Sequence, residues 1–538
     1  MNLDYPFLSP TNKVYCKCTL KRKTNGEKMQ IRLTGTGEKS IKKLLEEKGV
    51  SLYAPCAGRG TCGQCIVIVK SGDCPPSEAD NERFTEKELE QGFRLACRAF
   101  PKGDICIEVS EQENPVICTE YSDENTRMPG SVSSTTDESV AGLRVGIDLG
   151  TTTIVLTTLG SDGTPGETRA FLNPLSAYGA DVVSRLEAAA GGHLSEMKVL
   201  LRNTIEKELK FLASSVSLRI STIALAGNTV MTHIFMGWDV SGLGKYPFKP
   251  YSLNTAQTEL LGIPVTVFPG ISAFVGGDIV AGIYGLDLMN GSVGDMLMDL
   301  GTNGEMVLMT EKGMIASSAS AGPALEGAHI SCGTGCVEGA VTGITLENLR
   351  PVLNVAGSKT HVSKGLAGAC GSAVLELVDE LLRTGILKPD GSFIDSYADE
   401  GFAFGTDRNG RVLALTQADV RELQLAKGAV STAALMLCEK GNVEPDRLHI
   451  SLAGGMGSGL RPERIRRTGL IPVGSQVRAV GNSVLCGLMR FLREAADPST
   501  NASTLKILSN IAGSVTVYDL ALDEGFQERF LDSLNFSS

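Results

Sequence analysis

The pattern of apolar and polar positions near the start of the chain predicts a compact α+β unit. Short apolar runs bounded by turn residues predict strands, and these cover residues 15–23, 29–35, 66–72 and 104–110. The segments between them predict helices over residues 40–49 and 85–98, the first with Ser40 as its N-cap. A loop rich in glycine and cysteine lies between Pro55 and Cys65. This order closes at about residue 112, so we take residues 1–112 as the first domain.

A polar segment separates this unit from the rest of the chain. Residues 119–139 are rich in Ser, Thr and acidic residues and cannot bury enough apolar surface to fold alone. We interpret them as part of a linker over residues 113–141, with a surface loop of one larger domain as the alternative. From Leu143 onwards, apolar strands broken by Gly-rich turns alternate with helices, which predicts an α/β body in two halves, 142–290 and 291–538.

Composition and charge exclude several classes of function. A net charge of -11 over 538 residues does not favour a general nucleic-acid binder, because neutralising phosphates needs basic surface. The chain shows neither a basic-then-apolar leader nor a long uninterrupted apolar run, so we expect no membrane span and a cytoplasmic location. In that compartment the 14 cysteines are expected to be metal ligands and small buried residues rather than a disulfide framework.

Four cysteines have a spacing typical of an iron–sulfur site. Cys56, Cys62 and Cys65 follow the pattern C-x5-C-x2-C, and Cys97 comes later in the chain. Thiolates hold 2Fe-2S clusters in such patterns, and the glycines of the loop allow its backbone to wrap a small cluster. Zinc is the alternative metal, although its usual sites place cysteines in two close pairs.

Two similar strand–turn–strand segments predict a phosphate-binding site. Asp148 ends one apolar strand and Asp299 ends another, 151 residues later. Each carboxylate can bind a metal ion directly or through water, and each Gly/Thr turn offers N–H and hydroxyl donors to phosphates. The turn residues are Gly150, Thr151, Thr152 and Thr153 in the first segment and Gly301, Thr302, Asn303 and Gly304 in the second.

A third motif follows a strand near residue 450. Gly454 and Gly455 allow a nucleotide's sugar and base to lie close to the backbone. The glycines do not fit a dinucleotide fingerprint in register, and a P-loop pattern does not occur in the sequence.

Both parts of the chain resemble known families on these residues. Residues 13–112 resemble a ferredoxin of the β-grasp fold with the x5 gap, which implies that Cys56, Cys62, Cys65 and Cys97 hold a 2Fe-2S cluster. The three Gly-rich motifs resemble, in order, the phosphate 1, phosphate 2 and adenosine motifs of the superfamily of acetate and sugar kinases, heat-shock chaperones and actin. That resemblance implies an actin-like ATPase body of two RNase H-like halves that close on ATP and Mg2+.

The resemblance to the superfamily also suggests a role for Asp278. An acidic or amide residue at the first connecting helix (276–286) often helps to position the attacking water there, and Asp278 occupies that place. The alternative is an ordinary helix N-cap, a common role for Asp. The second connecting helix is expected over residues 481–492.

The chain as a whole resembles the reductive activators of corrinoid proteins. Besides the motifs above, the similar stretches are residues 224–237, 320–333 and 512–522. The resemblance implies an ATP-hydrolysing iron–sulfur enzyme that returns the Co(II) corrinoid of a methyltransferase-system protein to Co(I). It also implies an upstream low-potential electron donor. Some relatives carry a longer linker region and a middle domain, whereas this chain is expected to depart from them in having a short linker. Dimerisation through the linker is therefore in doubt, and a homodimer is left open.

Two rival functions and a second metal site remain as alternatives. A small-molecule kinase with a regulatory cluster and a redox-sensing ATP switch are the rival functions. Cys332, Cys336 and Cys370 lie in Gly-rich turns, and either a second metal site or simple packing accounts for them.

Overall fold

The fold was analysed in a computed structural model. The structure describes residues 29–48, 50, 52, 58, 60, 65–109, 142–179, 181–216, 218–301, 303–357, 365–408, 410–454, 460–495 and 498–537. These residues separate into two compact units. The predicted strand 15–23 and the predicted linker lie outside the described residues.

The first unit is a four-stranded sheet with three short helices. Its strands are β1 (Met29–Thr36), β2 (Ile66–Asp73), β3 (Phe93–Leu95) and β4 (Lys102–Val109). Its helices are α1 (Ile41–Glu47), α2 (Glu78–Arg83) and α3 (Glu86–Glu90). The strand order is β1-β4-β2-β3, with β4 antiparallel to both of its neighbours. This is the α+β arrangement that the sequence predicts.

The predicted helix over residues 85–98 is wrong in its second half. Thr85 caps α3, but the helix ends at Glu90. Gly92 has a φ of 89°, and a Cβ atom there would collide with the carbonyl oxygen of Val69. The chain can therefore reverse at Gly92 and place β3 antiparallel to β2, so Cys97 follows a strand and not a helix.

The second unit begins with a six-stranded sheet and the helices around it. The strands are β5 (Leu143–Leu149), β6 (Thr153–Leu159), β7 (Pro165–Leu172), β8 (Ile220–Gly227), β9 (Ala256–Leu260) and β10 (Ile263–Val267). The helices are α4 (Val182–Ala188), α5 (Leu194–Val216), α6 (Thr229–Met236) and α7 (Gly277–Gly285). The strand order is β7-β6-β5-β8-β10-β9, in which β5 is antiparallel to β6 and parallel to β8.

The rest of the second unit contains another six-stranded sheet of similar order. The strands are β11 (Asp295–Leu300), β12 (Gly304–Thr310), β13 (Gly313–Ala319), β14 (Ala340–Glu347), β15 (Arg350–Val355), β16 (Gly368–Ala369), β17 (Phe402–Thr406), β18 (Val412–Leu415), β19 (His449–Ala453), β20 (Gln476–Gly481) and β21 (Thr516–Val517). The helices are α8 (Gly371–Arg383), α9 (Gln417–Gly441), α10 (Ser483–Glu494), α11 (Pro498–Ser514) and α12 (Phe526–Asp532). Its sheet order is β20-β19-β11-β12-β13-β21, while β14 to β18 form smaller sheets.

The two large sheets repeat one topology. In the first sheet, β5 pairs antiparallel with β6, the next strand of its hairpin, and parallel with the later strand β8. In the second sheet, β11 pairs in the same way, antiparallel with β12 and parallel with β19. The predicted duplication of the body is therefore present. Among the described helices, none is long and apolar enough to cross a membrane.

Helices α7 and α10 lie in a hydrophobic core that also contains residues of both large sheets, such as Ala224 and Leu297. The two helices touch through glycine. A Cβ atom on Gly285 would collide with the amide nitrogen of Gly487, and one on Gly487 would collide with the carbonyl oxygen of Ala281. The backbones therefore approach more closely than larger residues permit.

Candidate functional site

The N-terminus of α10 brings together the two predicted phosphate-site aspartates. Asp148 is the penultimate residue of β5, and Asp299 holds the same place in β11. The Asn482 side-chain amide donates a hydrogen bond to Asp148 Oδ2 at 2.7 Å, and Ser483 Oγ donates to Asp299 Oδ2 at 3.3 Å. Two consecutive residues thus contact one carboxylate from each half of the body.

Asn482 can do this because it is the N-cap of α10. Its Oδ1 accepts the backbone N–H of Leu485 at 2.8 Å, which satisfies a free donor of the first helical turn. The cap fixes the amide, so that its nitrogen points to Asp148. The sequence predicts a connecting helix here, but a role for Asn482 was not predicted; an Asn directly before a helix was the available signal.

Asp278 lies beside these carboxylates in the first turn of α7. The alternative interpretation of Asp278 as an N-cap is wrong, because Gly276 is the N-cap residue. Asp278 Oδ1 instead accepts the backbone N–H of Ile279 at 2.9 Å. Burial, and then the charge of Asp299, raises the pKa of Asp278 to about 7.

Glu305 is a fourth carboxylate at this site and was not predicted from the sequence. Glu305 in β12 pairs directly with Asp299 in β11. Burial raises its pKa well above the usual range, and the charges of Asp278 and Asp299 add to this. The sequence signal for Glu305 was an acidic side chain two residues after Asn303. In the structure, the Asn303 side-chain amide donates a hydrogen bond to Glu305 Oε1 at 3.3 Å.

The carboxylates of this group share raised pKa values. Burial raises the pKa of Asp148 to about 7 against the opposing hydrogen bond from Asn482, and burial raises that of Asp299 to about 6. Over the described ranges, no three His, Cys, Asp or Glu side chains are grouped as ligands of one metal ion. A hydrated Mg2+ does not need such a group, because it is commonly held by one or two carboxylates plus water and phosphate oxygens. The half-buried aspartates fit a cation of that kind.

The first turn is held in place from behind. The predicted phosphate-binding residues in this turn are Gly150, Thr151, Thr152 and Thr153. The Asn173 amide donates to the carbonyl oxygen of Gly150 at 2.8 Å, and the Asn228 amide donates to Thr151 Oγ1 at 2.8 Å. Arg185, which is buried, donates to the carbonyl oxygen of Thr151 at 2.6 Å. Such support reduces the reorganisation that phosphate binding requires.

The structure describes only part of the other predicted nucleotide-binding residues. In the second turn, the Gly301 N–H donates to the carbonyl oxygen of Asn303 at 2.9 Å. Gly454 follows β19, and its N–H donates to the carbonyl oxygen of Gly481 at 3.2 Å. Thr302 and Gly455 lie outside the described residues.

Two of the four predicted cluster ligands are described. Cys65 lies one residue before β2, and Cys97 lies two residues after β3. Ile66 of β2 pairs with Leu95 of β3, and both cysteines are buried. Cys56 and Cys62 lie outside the described residues, so the four-ligand assignment stays a prediction.

The other cysteines under consideration are packed into the second half of the body. Cys332 and Cys370 are buried, and Cys336 is half-buried. The Ala369 N–H donates to the carbonyl oxygen of Cys332 at 2.9 Å. Cys370 Sγ lies 3.1 Å from Ser372 Oγ. Their role as metal ligands stays an untested alternative.

Family models match along most of the chain. The C-terminal domain of RACo, described as the ASKHA domain, matches residues 294–538, and the RACo middle region matches residues 143–291. A 2Fe-2S iron–sulfur cluster binding domain matches residues 25–102. The predicted fold class, a ferredoxin domain joined to an actin-like body, is confirmed. The expected departure from relatives with a middle domain is wrong, because this chain contains that region.

Individual proteins are similar over different parts of the chain. The "Corrinoid activation enzyme RamQ" of Eubacterium limosum is 27% identical over 430 residues, which cover 73% of this chain and 70% of RamQ. One protein of the Na(+)-translocating NADH-quinone reductase of Neisseria meningitidis is 37% identical over 108 residues, 19% of this chain and 25% of its own length. The solved structure of a "Reductive activator for corrinoid,iron-sulfur protein" covers 93% of this chain and 96% of its own, with a TM-score of 0.65 and 21% identity, and so supports the fold.

Proposed function

We propose that this chain, which belongs to the RACo family of reductive activators of corrinoid proteins, is an ATP-dependent iron–sulfur activase. It passes an electron from a 2Fe-2S cluster to the Co(II) corrinoid of a partner protein and restores Co(I). The observation that carries this proposal is the combination, in one chain, of a 2Fe-2S domain with an ASKHA body whose two halves meet at Asp148 and Asp299.

The residues of the body support a site for Mg-ATP. Mg-ATP, when bound, supplies the cation that the carboxylates lack and a phosphoryl group open to hydrolysis. Asp148 and Asp299 would hold the hydrated cation, and the two Gly/Thr turns would bind the phosphates. Asp278 carries a raised pKa beside Asp299, so it is suited to hold a water molecule for attack and to take its proton.

The 2Fe-2S cluster binding domain that matches residues 25–102 supports the electron-transfer role. Cys56, Cys62, Cys65 and Cys97 would hold the cluster, which supplies one electron at a low potential, about -400 mV for plant-type clusters. Co(I) is hard to reach because the electron enters an already electron-rich metal. A change in the conformation of the activase–corrinoid complex on ATP binding can favour the transfer, since a ligand shifts an equilibrium by its differential affinity.

The partners follow from the same chemistry. The similar protein RamQ is named a corrinoid activation enzyme, which supports a corrinoid as the group acted upon. We propose that this partner is the corrinoid protein of an anaerobic methyltransferase system. A low-potential donor is needed upstream of the cluster. We expect the protein to act in the cytoplasm, and a homodimer is compatible with the proposal.

The proposal is tested by corrinoid reduction with the full chain. The reduced protein is mixed with a Co(II) corrinoid protein, with and without Mg-ATP, and Co(I) is followed by its visible spectrum. We expect Co(I) only with Mg-ATP, and little Co(I) from Asp299→Asn under the same conditions. Equal Co(I) formation in all three mixtures would remove the coupling to ATP. ATP-dependent phosphorylation of a small molecule without any Co(I) would support the kinase interpretation.

The cluster assignment has its own test. Anaerobically purified Cys97→Ala should lose most of its iron, because one of four thiolate ligands is gone. Cys106→Ala is the matched control, since Cys106 lies in β4 of the same unit and is not a proposed ligand. Iron content is measured per chain. Full retention of iron in Cys97→Ala contradicts the ligand assignment.

A further inference from the structure

A group of aromatic side chains is exposed on the first half of the body, away from any role assigned above. Tyr246, Tyr251 and Phe274 are 77%, 67% and 48% exposed. Together with Phe248 they make up what we call the aromatic surface, in which Tyr246, Phe248 and Phe274 form one ring group and Tyr251 pairs separately with Trp238. Single exposed aromatic residues are common on proteins, whereas grouped ones often mark sites of interaction with other proteins.

The rings of the aromatic surface contact each other or Trp238. Phe248 lies edge-on to Tyr246 and to Phe274, with ring centroids 6.0 Å and 5.0 Å apart. Tyr251 lies against Trp238 at 5.9 Å. Such pairs keep each ring in a defined orientation, so the outer faces of Tyr246, Tyr251 and Phe274 remain free for contact with a partner.

The backbone beneath the rings is also held in place. Phe248 has a φ of 53°, which is strained for an aromatic residue and requires support from its surroundings. The Tyr251 N–H donates to His233 Nε2 at 3.1 Å, and His233 Nδ1 in turn donates to the carbonyl oxygen of Thr229 at 2.7 Å. A surface fixed in this way loses little conformational freedom when it binds.

Residues 245–251 carry only positive charge, whereas the chain as a whole is negative. Lys245 and Lys249 are exposed on either side of Tyr246 and Phe248, and within the described part of the chain neither forms an ion pair. Asp239, the carboxylate nearest in sequence, accepts hydrogen bonds from the Ser241 N–H and hydroxyl at 2.9 Å and 2.7 Å. On a chain of net charge -11, this segment is therefore locally basic and aromatic.

A single helix connects the aromatic surface to the phosphate site. Helix α6 begins after Asn228, whose amide donates to Thr151 Oγ1 in the first turn, and it contains His233, which holds the backbone of Tyr251. A rearrangement of the first turn can thus reach the aromatic surface through eight mostly buried residues. This suits a partner whose binding has to follow the state of the nucleotide.

We propose that the aromatic surface is the docking site for the corrinoid protein, and that this partner presents carboxylates around an apolar groove. The proposal rests on the proposed function, which supplies the partner's identity. Tyr246 and Tyr251 are the central contacts, because they are the most exposed rings of the aromatic surface and tyrosines commonly dominate binding energy. Lys245 and Lys249 pair with acidic residues at the rim and chiefly speed association.

The test compares surface variants of the full chain in binding and in corrinoid reduction. Tyr246→Ser/Tyr251→Ser should weaken binding of the Co(II) corrinoid protein at least about tenfold. Lys245→Glu should slow association, most strongly at low salt. Val473→Ser is the matched control, because Val473 is also 77% exposed but lies in the other half. ATP hydrolysis without partner and iron content should be unchanged in all variants.

Fluorescence gives a second measurement, since Trp238 is the single tryptophan of the chain and contacts Tyr251. Docking of the corrinoid protein should change the fluorescence emission of Trp238. That emission is obtained by subtracting the signal of Trp238→Phe from the signal of the parent. If the parent binds and reduces the corrinoid protein and the tyrosine variant does so equally well, the docking proposal is overturned and the proposed function stands. The docking proposal is also overturned if that variant disrupts only a dimer of this chain. A parent that neither binds nor reduces any cognate corrinoid protein overturns the proposed function as well.

Discussion

The two strand–turn segments of the body have nearly the same sequence but different surroundings. Asp148 pairs in the sheet with Val155, which is buried, and receives an amide hydrogen bond from Asn482 of the other half. Asp299 pairs with Glu305, a second carboxylate. The second turn thus places two carboxylates opposite each other in one sheet, whereas the first pairs its carboxylate with an apolar residue; besides burial, the charges of Asp299 and Asp278 nevertheless also raise the pKa of Asp148.

This difference indicates that the duplicated halves have separate tasks. The first turn contacts the other half, because Asp148 accepts a hydrogen bond from Asn482, 334 residues later in the chain. The second turn concentrates Asp299, Asp278 and Glu305, and so it is the place where a cation is most needed. Duplication preserved the strand order but not the electrostatics of the two turns.

The largest expected effect comes from removing either aspartate. Asp148→Ala and Asp299→Ala should each reduce ATP hydrolysis by about two orders of magnitude, as loss of a charge-stabilising group often does. Iron content should stay normal, since the predicted ligands are in the other domain. Asp295→Ala is the control, because Asp295 lies four residues earlier in β11 and is partly exposed. Hydrolysis at the parent rate in either variant contradicts the role of that residue.

A smaller effect is expected from Asn482, which tests the contact between the halves. Asn482→Ala removes both the helix cap and the hydrogen bond to Asp148, and should weaken nucleotide binding about tenfold with a loss of stability of about 1 kcal/mol. Asn482→Ser can keep the cap but not the amide. Nucleotide affinity is measured by calorimetry and stability by urea unfolding.

Thr416→Ala separates the two contributions of Asn482. Thr416 caps α9 in the same unit without contacting the carboxylates, so its loss should lower stability alone. If Asn482→Ser and the parent bind nucleotide equally, the amide does not connect the halves.

The pH dependence should reveal the charge at the second turn. The carboxyl groups of Asp278 and Asp299 have pKa values raised to about 7 and about 6, mainly by burial. Groups with raised folded-state pKa values favour folding when protonated, so the free chain should lose stability as the pH rises from about 4 through about 7. Mg-ATP offsets that charge and should raise the melting temperature more at about pH 8 than at about pH 5.5.

The smallest expected effect, and the one most specific to the second turn, comes from Glu305→Gln. Because the charges of Asp278 and Asp299 add to burial in raising the pKa of Glu305, Glu305 is a further group that holds its proton more tightly in the folded chain. Its removal should therefore narrow the difference in Mg-ATP stabilisation between the two pH values. Ala substitution at Glu311, an exposed residue that follows β12, is the control for a change of net charge. An unchanged pH difference in Glu305→Gln would mean that the second turn is not the main site of the charge.

The sequence was informative where a function is encoded locally. The two Asp–Leu–Gly turns lie inside apolar strands, so the strand ends and their approximate positions could be predicted. Asn482 and Glu305 could not, because their roles come from pairings that the fold creates: one across the two halves and one across a β-hairpin. Helix α3 was extended too far because helical composition continues past Gly92, where only the sheet contact with Val69 explains the reversal. The roles of the individual site residues and the domain boundaries stay predictions.

The glycine contact between α7 and α10 has a consequence for the evolution of the family. Neither Gly285 nor Gly487 can gain a side chain without displacing the backbone of the opposite helix. The first turns of these helices hold Asp278 and Ser483, so a displaced helix would also misplace groups at the carboxylates. A single change at either position is therefore selected against, and an aligned set of relatives should show both positions invariant or replaced in concert.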